Sequence, residues 1–76
     1  MNEYRKEILE SALDARQREV IEYQVNIDNF TMAAERIGDD LDLQNYKATI
    51  SDMLTQTMVE IKKAKLMLGV IEEQLK

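Results

Sequence analysis

Apolar residues recur at intervals of three and four along most of the chain, which is the spacing of one face of an α-helix. In the first half, this stripe consists of Leu9, Ala12, Val20, Tyr23, Ile27, Phe30, Ala34 and Ile37. In the second half, it consists of Ile50, Leu54, Thr57, Ile61, Ala64, Leu68, Ile71 and Leu75. The pattern predicts two amphipathic helices, over about residues 3–37 and about residues 43–75.

The second stripe is a heptad seam, because its steps alternate between four and three for more than three heptads. The first stripe breaks this alternation at Arg16, which lies on the same helical face, and the run Ala12–Arg16–Val20 indicates a stutter. Two interpretations of Arg16 stay open. Either its charged end reaches water while its stem packs, or it forms a buried pair, with Glu19 or with an acid of another chain, that fixes the register.

A turn over residues 38–41 joins the two predicted helices. Gly38 is suited to end the first helix, because glycine readily takes a positive φ angle. We predict Asp42 as the N-cap of the second helix, with Asp40 as the alternative. Leu41 and the aromatic residue four positions after the predicted cap, Tyr46, would form a hydrophobic staple.

The short connection favours antiparallel neighbours. The predicted fold class is therefore all-α: an antiparallel, coiled-coil-like two-helix hairpin that forms a single domain over residues 1–76. Each predicted helix also carries apolar residues opposite its main stripe, and these would be exposed in an isolated hairpin. They are Ile21, Val25, Met32, Val59, Leu66 and Val70.

Exposed apolar stripes usually mark association, although single exposed apolar residues are normal on any surface. We therefore predict that these six residues form a dimer or partner-binding surface. The expected assembly is a homodimer in the form of a four-helix bundle, because small domains without disulfides or metals commonly need such support. A groove for a protein partner is the alternative use of the same residues.

Composition argues against catalysis and cofactor binding. The chain has no histidine and no cysteine, which removes the usual general base, the commonest metal ligand and thiol nucleophiles. The turn fails as a calcium loop, because a loop starting at Asp40 has Asn45 where glycine is required and Ser51 at the twelfth position. We predict a protein that is not an enzyme and that has no cofactor and no metal.

The net charge of −5 disfavours direct binding to nucleic acid, which needs clustered Lys and Arg. Lys62, Lys63 and Lys65 are the only local basic cluster, and we expect it to pair with acids, Lys65 with Asp14 in particular. No apolar run approaches the roughly 20 residues of a membrane span, so no membrane partner is expected. An acidic contact surface is possible at Glu3, Glu7, Glu10, Asp14, Asp39 and Asp40, although a solvated acidic face explains the same residues.

These features predict a small non-enzymatic module for protein–protein interaction, acting as an adaptor, regulator or assembly factor through its helical surfaces. One alternative is an acidic inhibitor that blocks a nucleic-acid-handling protein, as phage-type anti-host or anti-defence factors do. Another is a scaffolding component of a larger assembly. The general shape resembles small plasmid-encoded and phage-encoded regulators, which is a likeness of fold alone. We expect a cytoplasmic location, in the host cytoplasm if the protein is viral.

Overall fold

A computed structural model describes residues 2–76 and shows two long helices packed against each other. Helix α1 spans Glu3–Ile37 and helix α2 spans Gln44–Leu75, with a short 3₁₀ turn at Leu41–Leu43 between them. The described chain is thus an all-helical hairpin, and this part of the predicted fold class is confirmed. Its Cα atoms extend over 59 × 14 × 14 Å.

Helix α1 has a side-chain cap at its beginning and a glycine turn at its end. Asn2 accepts a hydrogen bond of 2.7 Å through Oδ1 from the backbone N–H of Arg5, which satisfies one of the free donors of the first turn. Gly38 has φ 51° and ψ −121°, and the N–H of Asp40 donates to the carbonyl of Ile37 at 3.0 Å. These are the angles and the bond of a type II′ turn, whose first central position requires glycine.

The start of helix α2 differs from the prediction. Asp40, the alternative cap, accepts a hydrogen bond of 3.0 Å from the N–H of Asp42 and so caps the 3₁₀ turn. Leu43 stands at the N-cap of α2 without a side-chain hydrogen bond, so the prediction of Asp42 as the cap is wrong. The predicted staple is also absent, because Leu41 and Tyr46 are 88% and 59% exposed.

Two side chains of helix α2 donate hydrogen bonds to the C-terminal end of helix α1. Lys47 donates to the carbonyl of Gly38 through Nζ at 2.9 Å, and Gln44 donates to the same carbonyl through Nε2 at 3.1 Å. A lysine is favourable there, because the last carbonyls of a helix have no partner within the helix and carry its negative dipole end. These hydrogen bonds connect the start of the turn, at Gly38, to helix α2.

The buried stripe of helix α1 is more regular than its sequence pattern indicates. Leu13 is half-buried and takes its place between Leu9 and Arg16, so the steps alternate between four and three without interruption. No stutter is needed at Arg16. The complete stripe, every member of which is buried or half-buried, is Leu9, Leu13, Arg16, Val20, Tyr23, Ile27, Phe30, Ala34 and Ile37.

The predicted stripe of helix α2 is buried or half-buried along its whole length, and Lys47 extends it by one position towards the turn. Aligned antiparallel from the turn, the two stripes form nine levels, the first with Ile37 and Lys47 and the last with Leu9 and Leu75. Residue numbers at one level add up to 84. This register agrees with the hydrogen bond from Lys47 to Gly38, the neighbour of Ile37.

The hairpin buries little for its size. Among the described residues, the fully buried ones are Ile37, Ile50, Ile61, Ala64 and Ile71. The accessible surface is 5932 Å², whereas a compact protein of this mass exposes about 4,800 Å². The radius of gyration, 17.3 Å, likewise exceeds the roughly 11 Å of a compact domain of this length. The elongated shape therefore leaves large parts of both helices in water.

Candidate interaction surface

The structure does not bring the six predicted dimer-surface residues together. All six are exposed, but Val25 and Met32 lie on the outer side of helix α1, opposite its seam with α2. Val59 and Leu66 lie on the outer side of helix α2. Because the two helices face each other through their seams, their outer sides point in opposite directions. These six residues therefore do not form one continuous surface.

Two long flanks run beside the seam, one on each side of the hairpin. In heptad letters the seam occupies positions a and d, so that positions c and g of both helices share one flank and positions b and e share the other. The hydrogen bond of 2.7 Å from Arg5 to Gln74 confirms this assignment, because it joins the two helices through two g positions. The outer sides are the f positions.

The flank formed by positions c and g, called the apolar flank below, carries eight apolar residues, whereas the flank formed by positions b and e carries three, Ile21, Ala48 and Met58. Four of its g positions, Ala12, Glu19, Ala33 and Glu60, are half-buried, whereas every position of the other flank is exposed. The buried side of the hairpin therefore extends towards the apolar flank. The apolar residues of this flank are Ile8, Ala12, Ala15, Ala33, Tyr46, Met53, Met67 and Val70.

Only Val70 of these eight belongs to the surface predicted from the sequence. Tyr46, Met53, Met67 and Ile8 were missed, although each is among the exposed large apolar residues. Their spacing carried a signal, since Tyr46, Met53 and Met67 are separated by whole heptads. That signal selects a surface only once the seam and the direction of the neighbouring helix are known.

The charges of the apolar flank balance, because Arg5, Arg36 and Lys63 stand against Glu19, Glu22 and Glu60. Lys63 donates to Glu60 at 3.1 Å within helix α2. This flank therefore has no net formal charge. Where two such surfaces approach each other, no net repulsion opposes their contact.

The flank formed by positions b and e, called the charged flank below, carries a net formal charge of −4. Four residues of the predicted acidic surface lie on it, along helix α1. The expected pair of Asp14 with Lys65 is not formed, and Asp14 instead accepts from Arg18 at 3.2 Å in its own helix. The ionisable residues of this flank are Glu3, Glu7, Glu10, Asp14, Asp28, Glu35, Lys62, Lys65, Glu72 and Lys76.

The two remaining residues of the predicted acidic surface, Asp39 and Asp40, lie in the turn at the closed end. Both are exposed, but Asp40 is engaged in capping the 3₁₀ turn. The structure therefore separates the predicted acidic surface into a helical part near the open end and a small acidic tip at the other end of the molecule.

Arg16 pairs with Glu19, one of the two partners that the sequence suggested, but the pair is partly exposed and therefore is not the buried pair of the second interpretation. Its Nη2 atom lies 2.8 Å from Oε1 of Glu19, and its side chain is 34% exposed. Its Nε atom is buried and has no hydrogen-bond partner among the described residues. The pair is formed within one helix, and Arg16 is thus a charged residue of the seam with one unsatisfied donor.

Potential metal ligands are dispersed among the described residues. No group of His, Cys, Asp or Glu among them is arranged to hold a metal ion. The surface depressions are open grooves, such as the one at the open end of the hairpin lined by Tyr4, Arg5, Ile8 and Gln74. Neither described helix combines the length and the apolar character needed to cross a membrane.

The fold and these surfaces define an antiparallel helical hairpin with one apolar and one charged flank. Comparison with protein-family models, with curated proteins and with solved structures finds no match to this chain.

Proposed function

We propose that this protein is a non-enzymatic interaction module, an adaptor, regulator or assembly factor, which associates with itself into a dimeric four-helix bundle and acts through its helical surfaces. The observation that carries the proposal is the balance between buried and exposed apolar residues. Five residues are buried, whereas fourteen large apolar side chains are exposed in the described chain. Such a surplus on so small a domain usually marks an association surface.

Burial energetics support the same proposal. A Leu, Ile, Met or Val side chain contributes about 1.5–3 kcal/mol when it leaves water completely, and a hairpin of two helices can cover only one side of each. A second hairpin supplies the missing side without disulfides or metals. Helical hairpins that pair in this way are a standard route to four-helix bundles.

Sedimentation equilibrium or multi-angle light scattering over a range of protein concentrations tests the proposal. We expect twice the chain mass of 8.9 kDa at micromolar concentration. A protein that stays monomeric at all concentrations, and that recovers no protein partner from its native host, would refute it.

A second candidate function rests on the charged flank. This flank carries a net formal charge of −4. In this second proposal it binds the basic surface of a nucleic-acid-handling protein and blocks the activity of that protein. Binding of this kind weakens with salt, because 0.5 M salt screens exposed charges beyond a few ångströms. Inhibition that is unchanged between 0.1 M and 0.5 M salt would exclude this mechanism.

A further inference from the structure

We propose that the apolar flank is covered by the apolar flank of a second copy of this chain, with both turns at the same end. Helix α1 of each copy then packs against helix α2 of the other, and every pair of neighbouring helices is antiparallel. This inference rests on the proposed self-association and specifies its surface and orientation.

The apolar flank is large enough for a stable dimer. Helix α2 has 32 residues and is about 48 Å long, and two adjacent helices are about 20 Å wide, so the flank covers roughly 950 Å². A standard stable interface buries about 800 Å² on each partner. The four half-buried g positions would become the centre of the bundle, in agreement with the three core positions per heptad of bundle helices.

The distribution of charge favours the apolar flank as the interface and a second copy of the chain as its partner. The apolar flank is neutral overall, so that two copies meet without net repulsion, whereas two charged flanks would bring −4 against −4. A strongly acidic or strongly basic partner would find no opposite net charge on the apolar flank. A second copy of the chain offers apolar area and balanced charge at the same positions.

The residues at each level favour turns at the same end. A twofold axis along the hairpin preserves the levels, so that Ala15 of one copy lies beside Val70 of the second copy, and Ala33 lies beside Met53. Small residues of helix α1 thus face large residues of helix α2, as close packing requires. At mid-length, Lys63 of the second copy comes level with Glu22, which places opposite charges together.

Turns at opposite ends would fit less well. Helix α1 would then pack against itself, and Glu22, near the middle of the hairpin, would lie against Glu22 of the second copy. Like charges in contact cost stability. Ala12 would also face Ala33 between the two α1 helices, while the large residues of the two α2 helices faced each other.

The first test uses cysteine crosslinking, which the absence of native cysteine makes clean. An Ala15→Cys chain is mixed with a Val70→Cys chain and treated with a short bis-maleimide, which tolerates an offset of about one helical turn. Because each chain carries one cysteine, the mixed product can only be intermolecular. We expect a crosslinked heterodimer, and none from the matched mixture of Ile21→Cys with Lys62→Cys on the charged flank.

The second test compares neighbouring residues of helix α2. Met67 belongs to the apolar flank and is 45% exposed, whereas Leu66 lies on the outer side and is 67% exposed. We expect Met67→Asp to raise the dimer Kd about 100-fold or more, because the twofold axis places two charges in the interface. We expect Leu66→Asp to change the Kd less than about threefold. Circular dichroism checks that both variants remain helical.

The outcomes separate this inference from the proposed function. A dimer that crosslinks through Ile21→Cys and Lys62→Cys instead, or one that Met67→Asp leaves intact, would refute the assignment of the dimer interface to the apolar flank. The proposed self-association would stand. A dimer that crosslinks only between Ala12→Cys and Ala33→Cys chains would overturn the orientation. A wild-type chain that is monomeric at all concentrations would overturn this inference, and one that also recovers no protein partner from its native host would refute the proposed function itself.

Discussion

Replacement of Arg16 by methionine should stabilise the hairpin, although it removes the salt bridge to Glu19. Arg16 lies in the seam, at the level of Leu68, and its Nε atom is buried without a hydrogen-bond partner among the described residues. An unsatisfied buried donor costs about 1–3 kcal/mol. Methionine matches the length of the arginine stem, adapts to irregular space and has a similar helix propensity.

The salt bridge offsets only part of this gain. Arg16 and Glu19 are 34% and 36% exposed in their side chains, and ion pairs at such exposure are worth about 0.2–1 kcal/mol. The expected net stabilisation of Arg16→Met is therefore about 1–2 kcal/mol. In a domain of this size, that corresponds to a rise of roughly 4–16 °C in Tm.

Urea unfolding followed by circular dichroism measures this change, with all variants at the same protein concentration because association shifts apparent stability. Arg18→Met is the matched control, since Arg18 also pairs with an acid in its own helix but is 76% exposed. Its effect should stay within about 0.5 kcal/mol. If Arg16→Met destabilises the protein by more than the control does, the buried Nε is not a liability and the reasoning fails.

Further predictions concern the core and the two glycines. Ile50 is 2% exposed and Ile21 is 64% exposed, so Ile50→Ala should cost about 2–5 kcal/mol and Ile21→Ala less than about 0.5 kcal/mol; equal losses of urea stability would show that the seam is not the core. Gly38→Ala should destabilise by about 1–3 kcal/mol, because alanine is strained at φ 51°. Gly69→Ala should stabilise by about 0.5–1 kcal/mol, because an added Cβ meets nothing within 4 Å in that helix interior. Thermal unfolding of the two glycine variants should therefore shift in opposite directions, and a shift in the same direction would contradict the backbone argument.

The sequence by itself determined the two helices, because helical periodicity is a local property that each stretch carries alone. It also identified Gly38, since a tight reversal between two helices calls for a residue that accepts a positive φ angle. It predicted Asp42 rather than Asp40 as the cap, and this was wrong. Either aspartate has a suitable side chain, and the 3₁₀ turn before helix α2 decides which backbone N–H groups are free.

The tertiary structure decided which apolar residues share a surface. Leu13 became part of the seam because the neighbouring helix covers it, although Ala12 fits the sequence pattern equally well. Val25 and Leu66 look equivalent in the sequence, since both lie opposite their own stripes, yet packing places them on opposite sides of the hairpin. Met67 and Tyr46 can be assigned to a surface shared by both helices only when the position of the other helix is known. A surface formed by two helices depends on their relative rotation, which side-chain packing along the whole seam sets and no single helix encodes.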